Sequence, residues 1–287
     1  MRHDEILIIH LGGLGDTCLS ESTFFSFSAH FNRNIVALGY TRFLRLFEAY
    51  FKRIERIESA RWLPLFSQYT PDIAWERIIF IGKDREGALR EKWGRMSREP
   101  MIFIEMYPEN QGSSVWEQEA GSRTKHHVED FQLMQLGQYG IEAKKKEITP
   151  NLSGRVILYP EMGFKKEKWH YENFVRVYYL LKSKGVDVHM LKSIGLDTDV
   201  KGAVFFEELT EVRDFFKTGG IFVSNDSGMA HLAGMCGLST ITIFNDFDPD
   251  IWHPRGNGTT FRYSRDGVDV PFVTSKILGT LPPFLSS

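Results

Sequence analysis

Residues 221–232 read IFVSNDSGMAHL, and their reading decides the fold. Ile221, Phe222 and Val223 form an apolar run of the kind that becomes a buried strand. The run stops at Ser224, Asn225, Asp226 and Ser227, and Gly228 follows. A helix-like run, MAHLAGMC, then extends to Gly237, and a second strand, STITIF, begins at Ser239. Strand, tight turn, helix and strand in that order are a βαβ unit of a parallel sheet. The helix N-terminus presents unpaired backbone N–H groups and the positive end of a dipole. That suits an anionic ligand such as a diphosphate. His231, in the first turns of this helix, can add a donor.

Working outward, the chain begins with a second unit of the same kind. EILIIHL (Glu5–Leu11) reads as a strand, and Gly12, Gly13, Leu14, Gly15 and Asp16 form a glycine-rich turn. A helix-like segment runs from Thr17 to about Phe31, and a strand from Asn34 to Leu38. Two such units far apart predict two Rossmann-like domains facing each other across a cleft. Between them, Ile78–Gly82 and Met101–Glu105 read as strands, and 85–96 and 126–139 as helices, the latter closed by Gly140. The polar run Glu142–Ser153, broken by Pro150, reads as the linker. Beyond it come strand Arg155–Tyr159, helix 171–184, strand Val186–Leu191, helix 207–217 and a weak helix, Val273–Leu281. Glu109–Lys125 reads as a mobile loop.

The 287 residues carry a net charge of −2, which gives no signature of nucleic-acid binding. Cys18 and Cys236 read as small buried residues, too few for a metal cage or a disulfide scaffold. The first apolar run spans only Ile6–Ile9, too short for the core of a signal peptide, and no run is long enough to cross a bilayer. The expected location is cytoplasmic.

Several motifs carry two readings. GGLGD places Gly13 and Gly15 at the first two glycines of a dinucleotide fingerprint. Cys18 occupies the third, and no acid follows the next strand, so the pattern is not that of an NAD site. Asp16 either caps its helix or faces the ligand as a general base. Asp226 and Ser227 are likewise good caps, and Asp226 can accept hydrogen bonds from sugar hydroxyls. Lys165, Lys166 and Lys168 are a solvated loop or a cation clamp on a leaving diphosphate. The run TRFLRLFEAYFKRIERI (Thr41–Ile57) reads as an amphipathic helix. Its apolar side is the core face of a Rossmann helix or a peripheral contact with the inner face of the membrane. Asp246, Asp248 and Asp250 invite a DxD-type metal site, but no further ligand stands at metal spacing.

Taken together, these motifs resemble the glycosyltransferase family 9 heptosyltransferases, which transfer heptose from ADP-heptose to the lipopolysaccharide inner core. NDSGMAHL resembles the family's D-[ST]-G-x-x-H-L signature at Asp226, Ser227, Gly228, His231 and Leu232. ILIIHLGGLGDTCLS resembles its opening strand and Gly-Asp turn, HHVEDFQLMQLGQYGI its helix before the linker, VILYPEMGFKKEKWHYENF its donor loop, and DPDIWHP the loop that follows the signature. The resemblance implies an α/β GT-B fold: an acceptor-side Rossmann-like domain over 1–150 and a nucleotide-sugar-binding one over 151–287. It implies an inverting, metal-independent transfer with Asp16 as base. Gly13, Lys168, Asp226, Ser227, Gly228 and His231 would hold the donor. No cofactor is implied beyond an ADP-linked nucleotide sugar, and the acceptor is a glycan or lipid-linked glycan. The chain departs from the family pattern at Glu161, Glu167 and His170. Lys168 takes the role of a lysine that the family has one residue earlier. Glu161 and Glu167 motivate one rival reading, a non-catalytic nucleotide-sugar-binding protein with a degenerate donor loop; a second rival is a GT-B-fold nucleotide-sugar epimerase.

Overall fold

The computed structural model describes residues 2–67, 74–108, 125–160, 168–192, 200–263 and 265–282. Lys165, Lys166, Glu161 and Glu167 of the expected donor loop lie outside the described residues, as does nearly all of the expected loop 109–125. The chain divides into two compact units, Met1–Lys146 and Glu147–Ser287.

In the first unit the elements are β1 (Arg2–His10), α1 (Leu14–Leu19), α2 (Glu21–His30), β2 (Ile35–Gly39), α3 (Thr41–Leu44), β3 (Arg53–Arg56), α4 (Leu63–Phe66), β4 (Ala74–Gly82), α5 (Ala88–Gly94), β5 (Ile102–Glu105) and α6 (Val128–Met134). The strands form one parallel sheet in the order β3-β2-β1-β4-β5. β1 over Ile6–Ile9 and β2 over Ile35–Leu38 are uninterrupted apolar runs because both faces of a parallel sheet are covered. On one face Leu7, Ile9, Val36, Leu38, Ile78 and Phe80 pack with Trp62, Trp75 and Trp93. Each such side chain contributes about 2 kcal/mol on burial, which fixes the register from one strand to the next.

The second unit contains β6 (Arg155–Tyr159), α7 (Tyr171–Ser183), β7 (Asp187–Lys192), β8 (Val204–Phe205), α8 (Leu209–Phe216), β9 (Ile221–Asn225), α9 (Gly228–Met235), β10 (Ser239–Phe244), α10 (Pro249–Trp252), β11 (Gly258–Arg262) and α11 (Val270–Thr280). Its parallel sheet runs β11-β10-β9-β6-β7-β8. The spacing of Phe174, Val177 and Leu181 puts one face of α7 into a core with Val156, Leu158, Val188 and Met190. α9 is apolar nearly all round and is buried accordingly. Gly237 ends it with a φ of 89° and lies so close to the Thr149 carbonyl that a Cβ would sit 2.3 Å from the oxygen.

Two parallel sheets with interleaved helices are the Rossmann-like pair of the expected α/β GT-B class. Several element expectations need correction. The helix expected over Thr17–Phe31 is two helices. It breaks at Ser20, whose hydroxyl donates to the Asp16 carbonyl at 2.9 Å and competes with the helical pattern. The amphipathic helix expected over Thr41–Ile57 does not form. The run is α3, a 3-10 turn over Arg45–Tyr50, and then β3, paired with β2 from Val36↔Arg53 to Gly39↔Arg56. An open sheet edge overrides the helical period. Phe47 and Phe51 are buried edge-on against Phe24, and Arg53 and Lys52 pair with Glu5. The basic residues therefore flank an edge strand, and the helix on which membrane contact rested is absent. Among the described residues no helix is long and apolar enough to cross a membrane. Strands β3, β8 and β11 have no counterpart in the sequence reading.

Two parallel sheets and their candidate sites

In open parallel sheets, ligands sit beyond the carboxyl ends of the strands, where the strand order reverses direction. The first sheet reverses between β1 and β4, and the second between β6 and β9. The two motif turns follow β1 and β9, at those two points.

In the first unit, β1 ends at His10 and the chain turns through Gly12 and Gly13 into α1. Asp16 stands at the third helical position, half-buried, and its Oδ2 accepts the Gly13 N–H at 2.8 Å. The capping contact of the sequence reading is thus present. A Cβ added at Gly12 would lie 2.6 Å from the Asp16 Cβ, so the bare backbone there lets the Asp16 side chain lie against the turn. Beneath it, His10 is buried, its Nε2 3.2 Å from Ser20 Oγ. Because that hydroxyl donates to the Asp16 carbonyl, its oxygen accepts from His10. Burial holds the His10 pKa down at about 3.

Two further residues reach this turn. Tyr107 stands just beyond β5, and Lys83, just beyond β4, places its Nζ 4.5 Å from the Tyr107 ring centroid. Burial, and then the charge of Asp16, push the Tyr107 phenol well above its usual pKa. The sequence reading missed both. Their signal was positional, since each follows a strand of the same parallel sheet and so lines the same edge.

In the second unit, β9 ends at Asn225. Asp226 is half-buried, and its N–H donates to the Ile243 carbonyl at 2.9 Å, which ties the turn to β10. Ser227 caps α9 in an extended conformation, its side chain accepting the Ala230 N–H at 3.3 Å. Gly228 and Met229 head the helix. Their N–H groups have no carbonyl one turn earlier in the helix, the general condition of a helix start. His231 follows in the same first turns, buried.

The same turn also fixes the segment that begins at Lys168. Asn225 is buried. Its Oδ1 accepts the Trp169 N–H at 3.1 Å, and its Nδ2 donates to the Trp169 carbonyl at 3.2 Å. The Trp169 indole N–H donates to the Val268 carbonyl at 3.0 Å, and its ring lies edge-on to Phe174. Lys168, half-buried, is therefore held one residue from an anchor on β9. Sequence reasoning treated Asn225 as turn filler. Nothing in its spacing marked it as the anchor of a loop more than fifty positions earlier.

Of the acids weighed for metal binding, Asp248 caps α10 by accepting the Asp250 N–H at 3.1 Å and pairs with Arg262 at 2.8 Å. Among the described residues no group of His, Cys, Asp or Glu is arranged to hold a metal. A cavity of about 310 Å³, lined by Ser153, Arg155, Asp187, Thr218 and Leu281, lies at the starts of β6 and β7. That is the opposite sheet edge from the Asp226 turn and far from its chemistry.

A family model described as glycosyltransferase family 9 (heptosyltransferase) matches residues 119–267. Among curated proteins, no sequence matches the chain significantly. Among solved structures, the chain is similar to E. coli heptosyltransferase WaaC with ADP, at 14% identity and a TM-score of 0.68, over 98% of this chain and 100% of that one. It is similar to E. coli ADP-heptose lps heptosyltransferase II, at 14% identity and a TM-score of 0.61, over 96% and 98%. A glycosyl transferase family 9 protein from Veillonella parvula aligns at 11% identity and a TM-score of 0.62, over 98% and 90%. At these identities the likeness is one of fold.

Proposed function

The chain belongs to glycosyltransferase family 9, and from that premise we propose that it transfers heptose from ADP-heptose to a glycan acceptor of the lipopolysaccharide-core type, with inversion at the anomeric carbon. The observation that carries this reading is the joint made by Asn225. It ties the backbone of Trp169, the residue after Lys168, to the strand end that precedes the Asp226–Ser227–Gly228 turn, at the point where the second sheet reverses order. A cation, a helix N-terminus and a sugar-accepting carboxylate in one place suit a nucleoside diphosphate sugar.

In this mechanism, Asp16 takes the proton of the acceptor hydroxyl as its oxygen attacks the anomeric carbon. The new C–O bond forms on the face opposite the departing diphosphate. The breaking C–O bond leaves its electron pair on the diphosphate oxygen. Lys168, His231 and the N–H groups at the head of α9 meet that charge, so no metal is required to carry it. The pairing of Asp248 with Arg262 supports this, since that carboxylate is already engaged. Gly13 gives the donor close access to the backbone beside Asp16. The first unit is then the acceptor side and the second the donor side.

The test is release of ADP from ADP-heptose with and without an inner-core oligosaccharide acceptor, for wild type and Asp16→Ala. Acceptor-dependent release, abolished in the variant while ADP-heptose still binds, is the expected result. Binding without release would favour the non-catalytic reading. Consumption of donor without acceptor would favour the epimerase.

A further inference from the structure

His10 is a polar residue where an apolar one would fit. It ends β1, the middle strand of the first sheet, and is 2% exposed. Its ring lies edge-on to Phe24 with the centroids 5.4 Å apart, as a phenylalanine ring would. Among the described residues its Nδ1 has no hydrogen-bond partner. A buried polar atom in that state costs stability, so the histidine calls for a role that phenylalanine could not fill. Its Nε2 lies 3.2 Å from Ser20 Oγ. Ser20 is itself buried, in the break between α1 and α2, and both its N–H and its hydroxyl donate to the Asp16 carbonyl, at 3.0 and 2.9 Å.

We propose that His10, acting through Ser20, is a positioning residue for Asp16: it ties the Asp16 carbonyl to the middle strand and so fixes where the carboxylate stands. This rests on the reading of Asp16 as base. β1 is paired on both sides, His10↔Gly39 with β2 and His10↔Ile81 with β4, so the ring starts from a rigid point. The Ser20 hydroxyl hydrogen is used on Asp16, so its oxygen takes the Nε2 proton of His10. A serine hydroxyl has several staggered positions open to it. The imidazole donor selects the one that points at Asp16. α1 is six residues long, too short to hold its direction by its own hydrogen bonds. The imidazole also floors the turn, since a Cβ added at Gly12 would lie 2.9 Å from its Cε1. At the other end of the residue, Asp16 Oδ2 accepts the Gly13 N–H at 2.8 Å. Backbone and carboxylate of Asp16 are thus held separately. Misplacement of a reacting group by about 1 Å lowers rates by up to about a hundredfold. Loosening one hydrogen bond of this link is a smaller displacement, and about tenfold is expected.

The experiment compares His10→Phe, His10→Gln, Ser20→Ala, the His10→Phe/Ser20→Ala double variant and Asp16→Asn, with ADP-heptose and an inner-core oligosaccharide. His10→Phe keeps the floor of the turn and loses the donor, whereas His10→Gln keeps an N–H donor. The expected result is a fall in kcat of about tenfold in His10→Phe and in Ser20→Ala, with KM for the donor unchanged and the melting temperature of His10→Phe not lowered. The double variant falls no further than either single one, because the two residues are links of one chain. His10→Gln recovers most of the loss. Nitrogen NMR of the imidazoles at pH 4.5 gives a readout free of turnover: the signal lost in His10→Phe is neutral, with its proton on Nε2. A proton on Nδ1 overturns the proposal, because Nε2 could not then donate to Ser20. Unchanged kcat in His10→Phe, with Asp16→Asn inactive, overturns the positioning role and leaves the base. So does a fall in kcat matched by loss of donor affinity and melting temperature, the pattern of a purely structural residue. Full turnover in Asp16→Asn, or none in wild type, removes the underlying reading and this inference with it.

Discussion

Asn225→Ala separates the donor site from the rest of its sheet. The Asn225 side chain makes two hydrogen bonds, at 3.1 and 3.2 Å, to the backbone of Trp169, and both residues are buried. Truncation leaves a buried N–H and a buried carbonyl without partners. Each orphaned group costs about 1–3 kcal/mol, so the loss is about 3 kcal/mol. For a unit of about 140 residues, 1 kcal/mol moves the midpoint by roughly 3–4 °C, which makes the expected drop about 10 °C. The unit should still fold, because the Trp169 indole keeps its bond to Val268 and its contact with Phe174. Lys168 then loses its fixed position. Losing one charge-assisted contact weakens ADP binding about tenfold, or ~1.4 kcal/mol. Differential scanning calorimetry reads the first effect and isothermal titration with ADP the second. A midpoint within about 2 °C of wild type would refute the accounting of the buried bonds. A lowered midpoint with unchanged ADP affinity would show that Lys168 does not touch the donor.

Three other perturbations follow from the same geometry. The His10 pKa of about 3 lies below the unfolded value near 6.5, so between these values the unfolded chain binds a proton that the folded chain does not. His10 therefore leaves stability unchanged above about pH 6.5 and removes ~1.4 kcal/mol per pH unit as the pH falls below it. In His10→Phe, chemical denaturation at pH 7.5 and 4.5 should show a gap smaller by about 2–3 kcal/mol, and an equal gap would sink this assignment. Gly234→Ala would put a Cβ 2.3 Å from the Arg255 carbonyl oxygen, backbone against backbone. It should lower stability by about 2 kcal/mol or more, whereas a neutral effect in denaturation would mean the α9–Arg255 approach is looser than described. Exhaustive chelation with EDTA should leave sugar transfer unchanged, and loss of turnover restored by a divalent cation would contradict the metal-independent route.

Much of this was legible in the chain. The apolar runs of β6, β9 and β10 are bounded by sharp turns, and period alone finds them. The Asp226 turn is legible because strand, small polar residues and helix are contiguous. Tyr107 was hidden because it lies some ninety residues from Asp16 in sequence, and only the parallel pairing of β5 with β4 brings it to the same sheet edge. Asn225 was hidden for the same reason. The segment after Thr41 misled in the opposite way. Its helical period is real, but the edge of β2 offers backbone hydrogen bonds, and Phe47 and Phe51 find a core against Phe24. Tertiary structure decided against the local pattern.

The most direct measurement is a thermal-shift series with ADP-, GDP-, UDP- and dTDP-linked sugars, run on wild type and Asp226→Ala together. A ligand that binds only the folded state raises the midpoint by mass action. The account predicts a rise with the ADP-linked sugar alone, lost in the variant. A rise of equal size in Asp226→Ala, or none with any nucleotide sugar, would contradict the placement of the donor at this turn.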